Sequence, residues 1–373
     1  MGIVKYIIVL LFFSVSVLKA QNETLKKAAT EDEKEVKVLV MLPFCFGMQD
    51  KYRIREKMLE YYEGVEIAIA ELRKLGVKMS IEIVDTKSDS LEVINILSNP
   101  EYQKVDAIFG PVYDNEFIEV QKFCSIYNIP LISPLRYVSN MLGADFPLMN
   151  FIANDSIQFN YIGQHVVNAF KKFQVIVVDE SYGTVGKGSF GRNFKKGYES
   201  LAKKECILTD GKTPISELWN QKDSLFVFYT GKNSNACNKA LAANGHNKWK
   251  VAGPADWLDI DRINYTVFEN VYFYDQYCVP YNDTTFKVFR KNYREHYGGD
   301  PQRYTLIGYD QFLFFGTAIA GFKNSFFNAI QNKEFNYLHT TFNFVSRGNL
   351  IENAGVNLFY FKNYNFYKAY WRY

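Results

Sequence analysis

The sequence predicts an α/β protein made of two Rossmann-like units, each with a parallel sheet. Three observations carry this prediction. Apolar strands alternate with amphipathic helices from residue 36 onward, the same rhythm restarts after Asn150, and several strands end in glycine, proline or serine. Because a helix that joins two parallel strands makes a right-handed crossover, the alternation favours two doubly wound sheets.

The first unit begins with the apolar strand KVLVMLPF (37–44). In the helix that follows, one face carries Tyr61, Val65, Ala68, Ile69, Leu72 and Leu75, and Gly76 ends it. Strands MSIEIVD (79–85), VDAIFG (105–110) and IPLISPL (129–135) complete the unit.

The second unit repeats the pattern. Its predicted strands are QVIVVDE (174–180), ECILTD (205–210), SLFVFYTG (224–231), KWKVAGP (248–254) and ENVYFYDQYCV (269–279), and its predicted helices span 190–204, 214–221 and 234–244. Two further helices are expected over 283–296 and 304–322. The last segments alternate like antiparallel edge strands around a turn at Arg347-Gly348-Asn349.

The first residues have the layout of a secretory signal peptide. Lys5 precedes the apolar run IIVLLFFSVSVL, and Ala20 is the expected cleavage site, so residues 1–20 are interpreted as the signal and 21–35 as a flexible leader. An uncleaved anchor is the alternative, although the run is shorter than the about 20 residues needed to span a bilayer. We therefore expect a periplasmic or secreted protein with no stable membrane insertion after cleavage.

Composition excludes some functions. The net charge of +3 is spread along the chain without a basic block interleaved with aromatics, which argues against nucleic acid. The five cysteines are widely scattered, so a thiolate metal site is not expected, whereas one or two disulfides stay open. We expect no cofactor and no metal.

Turn residues end two neighbouring strands of the first unit, at Gly110-Pro111 and at Ser133-Pro134. In open parallel sheets, ligands bind beyond the carboxyl ends of the strands. The recurrence therefore predicts binding loops at these two positions.

The order of segments resembles the type I periplasmic solute-binding proteins, which include the branched-chain amino-acid receptors. The matching stretches are KVLVMLPF, EYYEGVEIAIAEL, IEIVDTKSD, VDAIFGPV, IPLISPL, the DESYG turn and IGYDQFLF (307–314). The resemblance implies two lobes joined by three crossovers, near 151–155, 277–282 and 339–345, with a ligand cleft between the lobes. Lobe 1 would comprise 36–152 and 280–340, and lobe 2 would comprise 153–279 and 341–373.

The same resemblance implies a binding protein rather than an enzyme. Such a protein closes its lobes over a small solute and presents it to a membrane permease or a signalling partner. Carried over by position, Ser133 would donate its hydroxyl to an anionic group of the ligand, with help from the backbone around Tyr113. Tyr182 would cover the ligand from lobe 2, Asp256 would receive an ammonium group, and Trp257 would form an apolar wall.

One departure from the family pattern concerns charge. Amino-acid binders usually place a small hydroxyl residue after the glycine of the third strand, whereas this chain has Val112, Tyr113 and Asp114. An aspartate repels a carboxylate, and the repulsion grows in a dry site. Arg136 would compensate or bind a different anion, so the expected ligand is a small polar or zwitterionic molecule other than an ordinary α-amino acid.

Three alternatives remain open. Gly186 to Gly191 satisfies the dinucleotide pattern G-x-G-x-x-G with Asp210 downstream, but its first glycine comes late after the strand. Asp256, Asp259 and Asp261 form an acidic cluster that could hold calcium, although their spacing is not that of an EF-hand loop. Other relatives of the same fold bind cell-envelope proteins, including cell-wall synthases, so a protein-binding scaffold is the main rival to a solute receptor.

Overall fold

The structure, a computed structural model, describes residues 35–138, 146–182, 190–202, 204–244, 249–260, 265–269, 271–279, 281–322 and 325–369. The predicted signal peptide, nearly all of the predicted leader, most of the glycine-rich motif at 186–191 and Asp261 lie outside the described residues. Within the described residues, no helix has both the length and the apolar character that crossing a membrane requires.

The helices and strands alternate along most of the chain. The strands are β1 (Val36–Leu42), β2 (Met79–Asp85), β3 (Ala107–Phe109), β4 (Leu131–Ser133), β5 (Leu148–Asn150), β6 (Phe173–Val178), β7 (Ile207–Thr209), β8 (Ser224–Tyr229), β9 (Trp249–Pro254), β10 (Tyr272–Asp275), β11 (Glu334–Asn336), β12 (Thr341–Arg347), β13 (Leu350–Asn353), β14 (Asn357–Lys362) and β15 (Asn365–Lys368). The α-helices are α1 (Tyr52–Lys74), α2 (Ser90–Leu97), α3 (Asp114–Tyr127), α4 (Asp155–Ala169), α5 (Phe190–Leu201), α6 (Ile215–Leu218), α7 (Ser234–Asn244), α8 (Thr284–Tyr297), α9 (Arg303–Phe322) and α10 (Phe326–Ala329).

The chain divides into two compact units. Unit 1 comprises the described parts of 1–151, 302–331 and 346–351, and unit 2 comprises those of 152–301, 332–345 and 352–373. The expected lobe boundaries gave 280–340 to lobe 1, whereas 281–301 and 332–340 group with unit 2. Part of the reason is local, because the N–H of Cys278 donates to the carbonyl of His339 at 2.8 Å.

The sheet of unit 1 has the order β13-β5-β4-β3-β1-β2, and all pairings among β1 to β5 are parallel. The sheet of unit 2 has the order β15-β14-β10-β9-β8-β6-β7, with β6 to β10 parallel and β14 and β15 antiparallel. The predicted fold class, two mostly parallel sheets with flanking helices, is confirmed.

Glycines bring one pair of helices into close contact in each unit. A Cβ added at Gly64 of α1 would lie 1.9 Å from the carbonyl oxygen of Thr305 in α9, and one added at Gly308 would lie 2.1 Å from that of Tyr61. In unit 2, a Cβ at Gly163 of α4 would lie 2.1 Å from a backbone oxygen of α5. These distances leave no room for any side chain, so glycine is required where the helix backbones touch.

Candidate functional site

The carboxyl end of the unit 1 sheet is the first candidate surface. The carboxylate of Asp85, the last residue of β2, accepts hydrogen bonds from the backbone N–H groups of Cys45 at 2.9 Å, Phe46 at 3.0 Å and Lys87 at 2.9 Å. One side chain therefore fixes both the loop after β1 and the loop after β2. Sequence reasoning did not single out Asp85 for this role.

The loop after β3 depends on its glycine. Gly110 has φ +100°, and a Cβ there would lie 2.1 Å from the carbonyl oxygen of Met41 in β1. Only glycine satisfies both conditions. The strand-end glycine that the sequence marked as a tight turn is thus held by the neighbouring strand.

The loop after β4 is held by the buried side-chain amide of Gln311. Gln311 of α9 donates from Nε2 to the carbonyl of Pro134 at 2.9 Å, and its Oε1 accepts from the hydroxyl of Tyr61 at 2.7 Å. Gln311 is completely buried. Helices α1 and α9 therefore set the position of the loop that starts at Ser133-Pro134, a role that sequence reasoning missed.

Ser133 is buried, and its hydroxyl donates to the carbonyl of Arg136 at 2.8 Å. The hydroxyl proton is thus already used within the loop. Because the side chain is also fully buried, the geometry gives Ser133 a role in holding this loop and does not present its hydroxyl to the ligand anion that was expected.

Arg136 and Asp114, both predicted site residues, form an ion pair. The guanidinium of Arg136 also lies 5.5 Å from the centre of the Phe117 ring, in cation–π geometry. Partial burial lowers the pKa of Arg136, while the Asp114 side chain is exposed. The structure therefore brings an acceptor and a donor of opposite charge together at this edge.

The start of α3 lies beside this pair. The N–H of Tyr113 donates to Oε2 of Glu116 at 3.1 Å. Burial raises the pKa of the Glu116 carboxyl, and hydrogen bonds from Thr86 and from the N–H groups of Tyr113 and Val112 partly oppose that rise. Burial, followed by neighbours that include Cys45, also raises the pKa of Tyr113.

Phe46 is an exposed aromatic residue at the same edge, on the loop fixed by Asp85. Its ring stacks on Phe44 at 5.4 Å, and Phe44 meets Tyr62 edge-on at 5.7 Å. An exposed ring stacked on a second ring that is itself packed edge-on against a third offers an apolar surface to a ligand. The run LPFCF carried no signal that separates this ring from the core aromatics.

In unit 2, the loop after β6 presents Tyr182, which is half-exposed. Its N–H donates to the carbonyl of Asp179 at 2.8 Å, and the guanidinium of Arg192 lies 5.7 Å from the ring centre. The Asp179 carboxylate accepts from the N–H of Gly191 at 2.7 Å, at the start of α5. A carboxylate therefore occupies the helix N-terminus that a dinucleotide pyrophosphate would need.

Glu180 forms a further polar cluster at this edge. Its carboxylate accepts from the side-chain amides of Asn233 and Asn235, both at 2.9 Å, and from Nζ of Lys239 at 3.3 Å. Three donors, one just before α7 and two on the helix, thus converge on one carboxylate. This cluster was not predicted from the sequence.

The two remaining predicted site residues, Asp256 and Trp257, lie in different environments. Asp256 is exposed and pairs with Lys232 at 3.5 Å. Trp257, predicted as an apolar wall for the ligand, is instead a core residue of unit 2: it is fully buried, and its indole N–H donates to the carbonyl of Gly231 at 2.9 Å. The indole fits because Gly253 has no side chain, and a Cβ there would lie 2.0 Å from the ring.

Metal ligands do not cluster in the part of the chain that the structure describes. No group of three or more His, Cys, Asp or Glu side chains there has an arrangement that could hold an ion. Asp256 and Asp259 are described, whereas the third acidic residue of the predicted cluster, Asp261, is not.

Each unit is a doubly wound α/β sheet whose loops are organised at the carboxyl ends of the strands, the edge where such sheets bind their ligands. Residues 58–329 match the family model described as periplasmic binding protein, and the chain therefore belongs to that family. None of the curated proteins matches the sequence.

Solved structures share the fold at low sequence identity. A protein from Rhodospirillum rubrum, named as a candidate branched-chain amino acid ABC transporter, has 12% identity and a TM-score of 0.63, with 90% of this chain and 100% of that chain covered. The C-domain of LpoA from Haemophilus influenzae, named as a regulator of PBP1A, has 11% identity and a TM-score of 0.55, with coverage of 90% and 100%. An ABC transporter substrate-binding protein from Desulfitobacterium hafniense in complex with Leu has 15% identity and a TM-score of 0.51, with coverage of 90% and 100%. At these identities the likeness establishes the fold alone.

Proposed function

We propose that this protein is an exported solute-binding protein that closes two lobes over a small polar or zwitterionic ligand, for a transporter or a sensor. The observation that carries the proposal is the organisation of the unit 1 edge. Asp85 fixes the loops after β1 and β2, and the buried Gln311 fixes the loop after β4. Preorganised loops reduce the entropy lost on binding, which is what a ligand site requires.

The chemistry of that edge favours a ligand with adjacent donor and acceptor groups. Asp114 and Arg136 offer an acceptor beside a donor, and their opposite charges largely cancel. A ligand with a net negative charge would face Asp114, so a zwitterion or a neutral polar molecule is the better match. The exposed ring of Phe46, on the loop after β1, supplies an apolar surface at the same edge of the sheet.

A second function is favoured by a specific observation. The hydroxyl of Ser133 and the guanidinium of Arg136 already have partners within unit 1, as expected if the edge needs no solute. The fold is shared with a domain of LpoA, which is named as a regulator of PBP1A. A non-transport scaffold that binds a protein of the cell envelope, for example one that acts in cell-wall synthesis, is therefore the alternative.

Two variants test the solute site once a ligand has been found by thermal unfolding. We expect Ser133→Ala and Tyr182→Ala each to weaken ligand binding by about 1–3 kcal/mol, because Ser133→Ala removes the hydrogen bond that holds the loop after β4 and Tyr182→Ala removes a half-exposed polar side chain at the edge of unit 2. Ser125→Ala on α3 and Tyr367→Ala on β15 are matched controls away from these loops, and they should leave the dissociation constant unchanged. Unchanged affinity in both site variants would remove these residues from the site while leaving the fold assignment intact.

A further inference from the structure

Exposed aliphatic side chains are concentrated on two helices of unit 1. Among the described residues, the exposed leucines, isoleucines and valines are Leu59, Leu91, Ile94, Ile118, Ile126, Leu201, Val267 and Val288. Four of these eight lie on α2 and α3, and Leu91 and Ile126 are the most exposed of all, at 72% and 73%. Single exposed apolar residues are ordinary, but a group on neighbouring elements marks an interaction surface.

The two helices lie side by side on one face of the sheet. Their inward side chains, Val93 and Leu97 of α2 with Phe117 and Val120 of α3, belong to one buried cluster. Near their starts, the amide of Asn115 donates to the carbonyl of Ser88 at 3.3 Å. Their outward faces therefore belong to the same surface of unit 1.

Helix periodicity aligns the exposed residues along that surface. Leu91 and Ile94 are three residues apart on α2, while Ile118 and Ile126 are eight apart on α3 with Lys122 midway, so each set occupies one stripe. We call the surface formed by Leu91, Ile94, Ile118 and Ile126 the α2–α3 patch.

The charges around the α2–α3 patch are balanced. Lys87 pairs with Glu92 at 3.0 Å, and Lys122, which lies midway along the α3 stripe, pairs with Glu119 at 2.8 Å. A strongly acidic or basic partner gains nothing from such a balanced surface. A second copy gains from it, because a twofold axis can place the lysine of one copy against a glutamate of the other.

The chain's own leader does not match the patch. Residues 21–35, QNETLKKAATEDEKE, contain one large apolar side chain, Leu25. A segment with one such residue cannot supply the apolar complement of four exposed aliphatic side chains.

We propose that the α2–α3 patch is a homodimer interface, in which the same two helices of a second copy cover Leu91, Ile94, Ile118 and Ile126 about a twofold axis. The outward faces of α2 and α3 provide the apolar contacts, and the charged pairs beside and between them provide the polar contacts of the interface. This assembly is independent of which ligand the carboxyl edges bind.

Sedimentation velocity of the chain from Gln21, over a roughly hundredfold range of concentration, tests the proposal, because dimerisation follows mass action. The wild type should pass from monomer to dimer. Ile118→Glu should raise the dimer dissociation constant by at least about tenfold, since the substitution occurs twice in a symmetric interface. Leu91→Glu should act in the same direction, and an acidic residue in the first turn suits the start of a helix.

Val288→Glu is the matched control. Val288 is the fifth residue of α8 and 54% exposed, as Ile118 is the fifth residue of α3 and 53% exposed. It should leave the dissociation constant unchanged, and circular dichroism should show the same helix content in all variants. A wild type that stays monomeric, a dimer that Ile118→Glu leaves intact, or a dimer that Val288→Glu weakens equally would each overturn the proposal.

Discussion

The side-chain amide of Gln311 and the carbonyl of Pro134 are joined by a buried hydrogen bond of 2.9 Å, although 177 residues separate them along the chain. The bond connects the long helix α9 to the first turn of a predicted binding loop. The same amide accepts from Tyr61 of α1, so one side chain joins two helices to that loop.

Tyr61→Phe tests this connection. The variant keeps the ring but leaves the Oε1 of Gln311 buried without its hydroxyl donor, and we expect a loss of about 1–3 kcal/mol in the free energy of unfolding. Urea unfolding measures it. Tyr127→Phe, at the exposed end of α3, is the control and should cost little. Equal midpoints for Tyr61→Phe and the wild type would show that the bond contributes nothing to stability.

Gly64→Ala and Gly163→Ala should destabilise units 1 and 2 respectively. Each added methyl would stand about 2 Å from a backbone oxygen of the facing helix, so the helices must separate. Overpacking of this kind typically costs roughly 1–3 kcal/mol or more. Gly299→Ala is a suitable control, since a Cβ there meets nothing within 4 Å. Urea midpoints that do not distinguish the two helix variants from Gly299→Ala would contradict the close approach of the helices.

Stability should depend on pH through His165. Burial lowers the pKa of His165 to about 4, although Glu334 acts in the opposite direction. Its ordinary pKa in an unfolded chain is about 6.5. Between those values the unfolded chain binds the proton and the folded chain does not, so this group makes stability fall as pH falls from about 6.5 to about 4. The effect is constant outside that window and amounts to at most about 3 kcal/mol.

The contribution of His165 to the pH dependence of stability is the difference between the pH profiles of the wild type and of His165→Gln. We expect His165→Gln to flatten the pH dependence of the urea midpoint between pH 4 and 6.5, relative to the wild type. His296→Gln, at an exposed position of α8, is the matched variant that controls for the general effect of a histidine-to-glutamine change. If the wild type and His165→Gln have parallel pH profiles, His165 is not held neutral in the folded protein.

The cysteines should be reduced and protected. All five, Cys45, Cys124, Cys206, Cys237 and Cys278, are free and buried, so the disulfides left open by their number do not form in this structure. Burial raises the pKa of Cys206 and of Cys278 to about 12, and the thiolate is the reactive form. A thiol reagent at pH 8 should therefore react slowly with the native protein and titrate all five thiols after unfolding. Fewer thiols in the unfolded, unreduced protein would reveal a disulfide.

Local pattern predicted much of the fold. Two elements have the predicted bounds: β2 spans 79–85 and α7 spans 234–244. Their apolar residues recur with the period of the element, because one face of each is buried. The final segments form four strands, β12 to β15, where the pattern suggested antiparallel edge strands around the one turn at Arg347-Gly348-Asn349.

The site was less accessible to sequence reasoning. The strand pattern predicted binding loops at Gly110-Pro111 and Ser133-Pro134, and the family resemblance added Ser133, Asp114 and Arg136 as site residues. It could not reveal Gln311, which reaches the site from a distant helix. It also misjudged Trp257, because whether an indole is core or surface depended on the space beside Gly253 in β9. Both depend on contacts between distant parts of the chain, which carry no periodic signal.

Thermal unfolding of the chain from Gln21 with a panel of compounds tests whether the carboxyl edges bind a small solute. The panel comprises leucine and other amino acids, short peptides, neutral sugars and cell-wall fragments. A ligand that binds only the folded state adds about 2.7 kcal/mol of stability at a hundredfold excess over its dissociation constant. We expect one class of zwitterionic or neutral polar compounds to raise the unfolding temperature. No increase with any member of the panel would contradict the solute-binding account and favour the protein-binding scaffold.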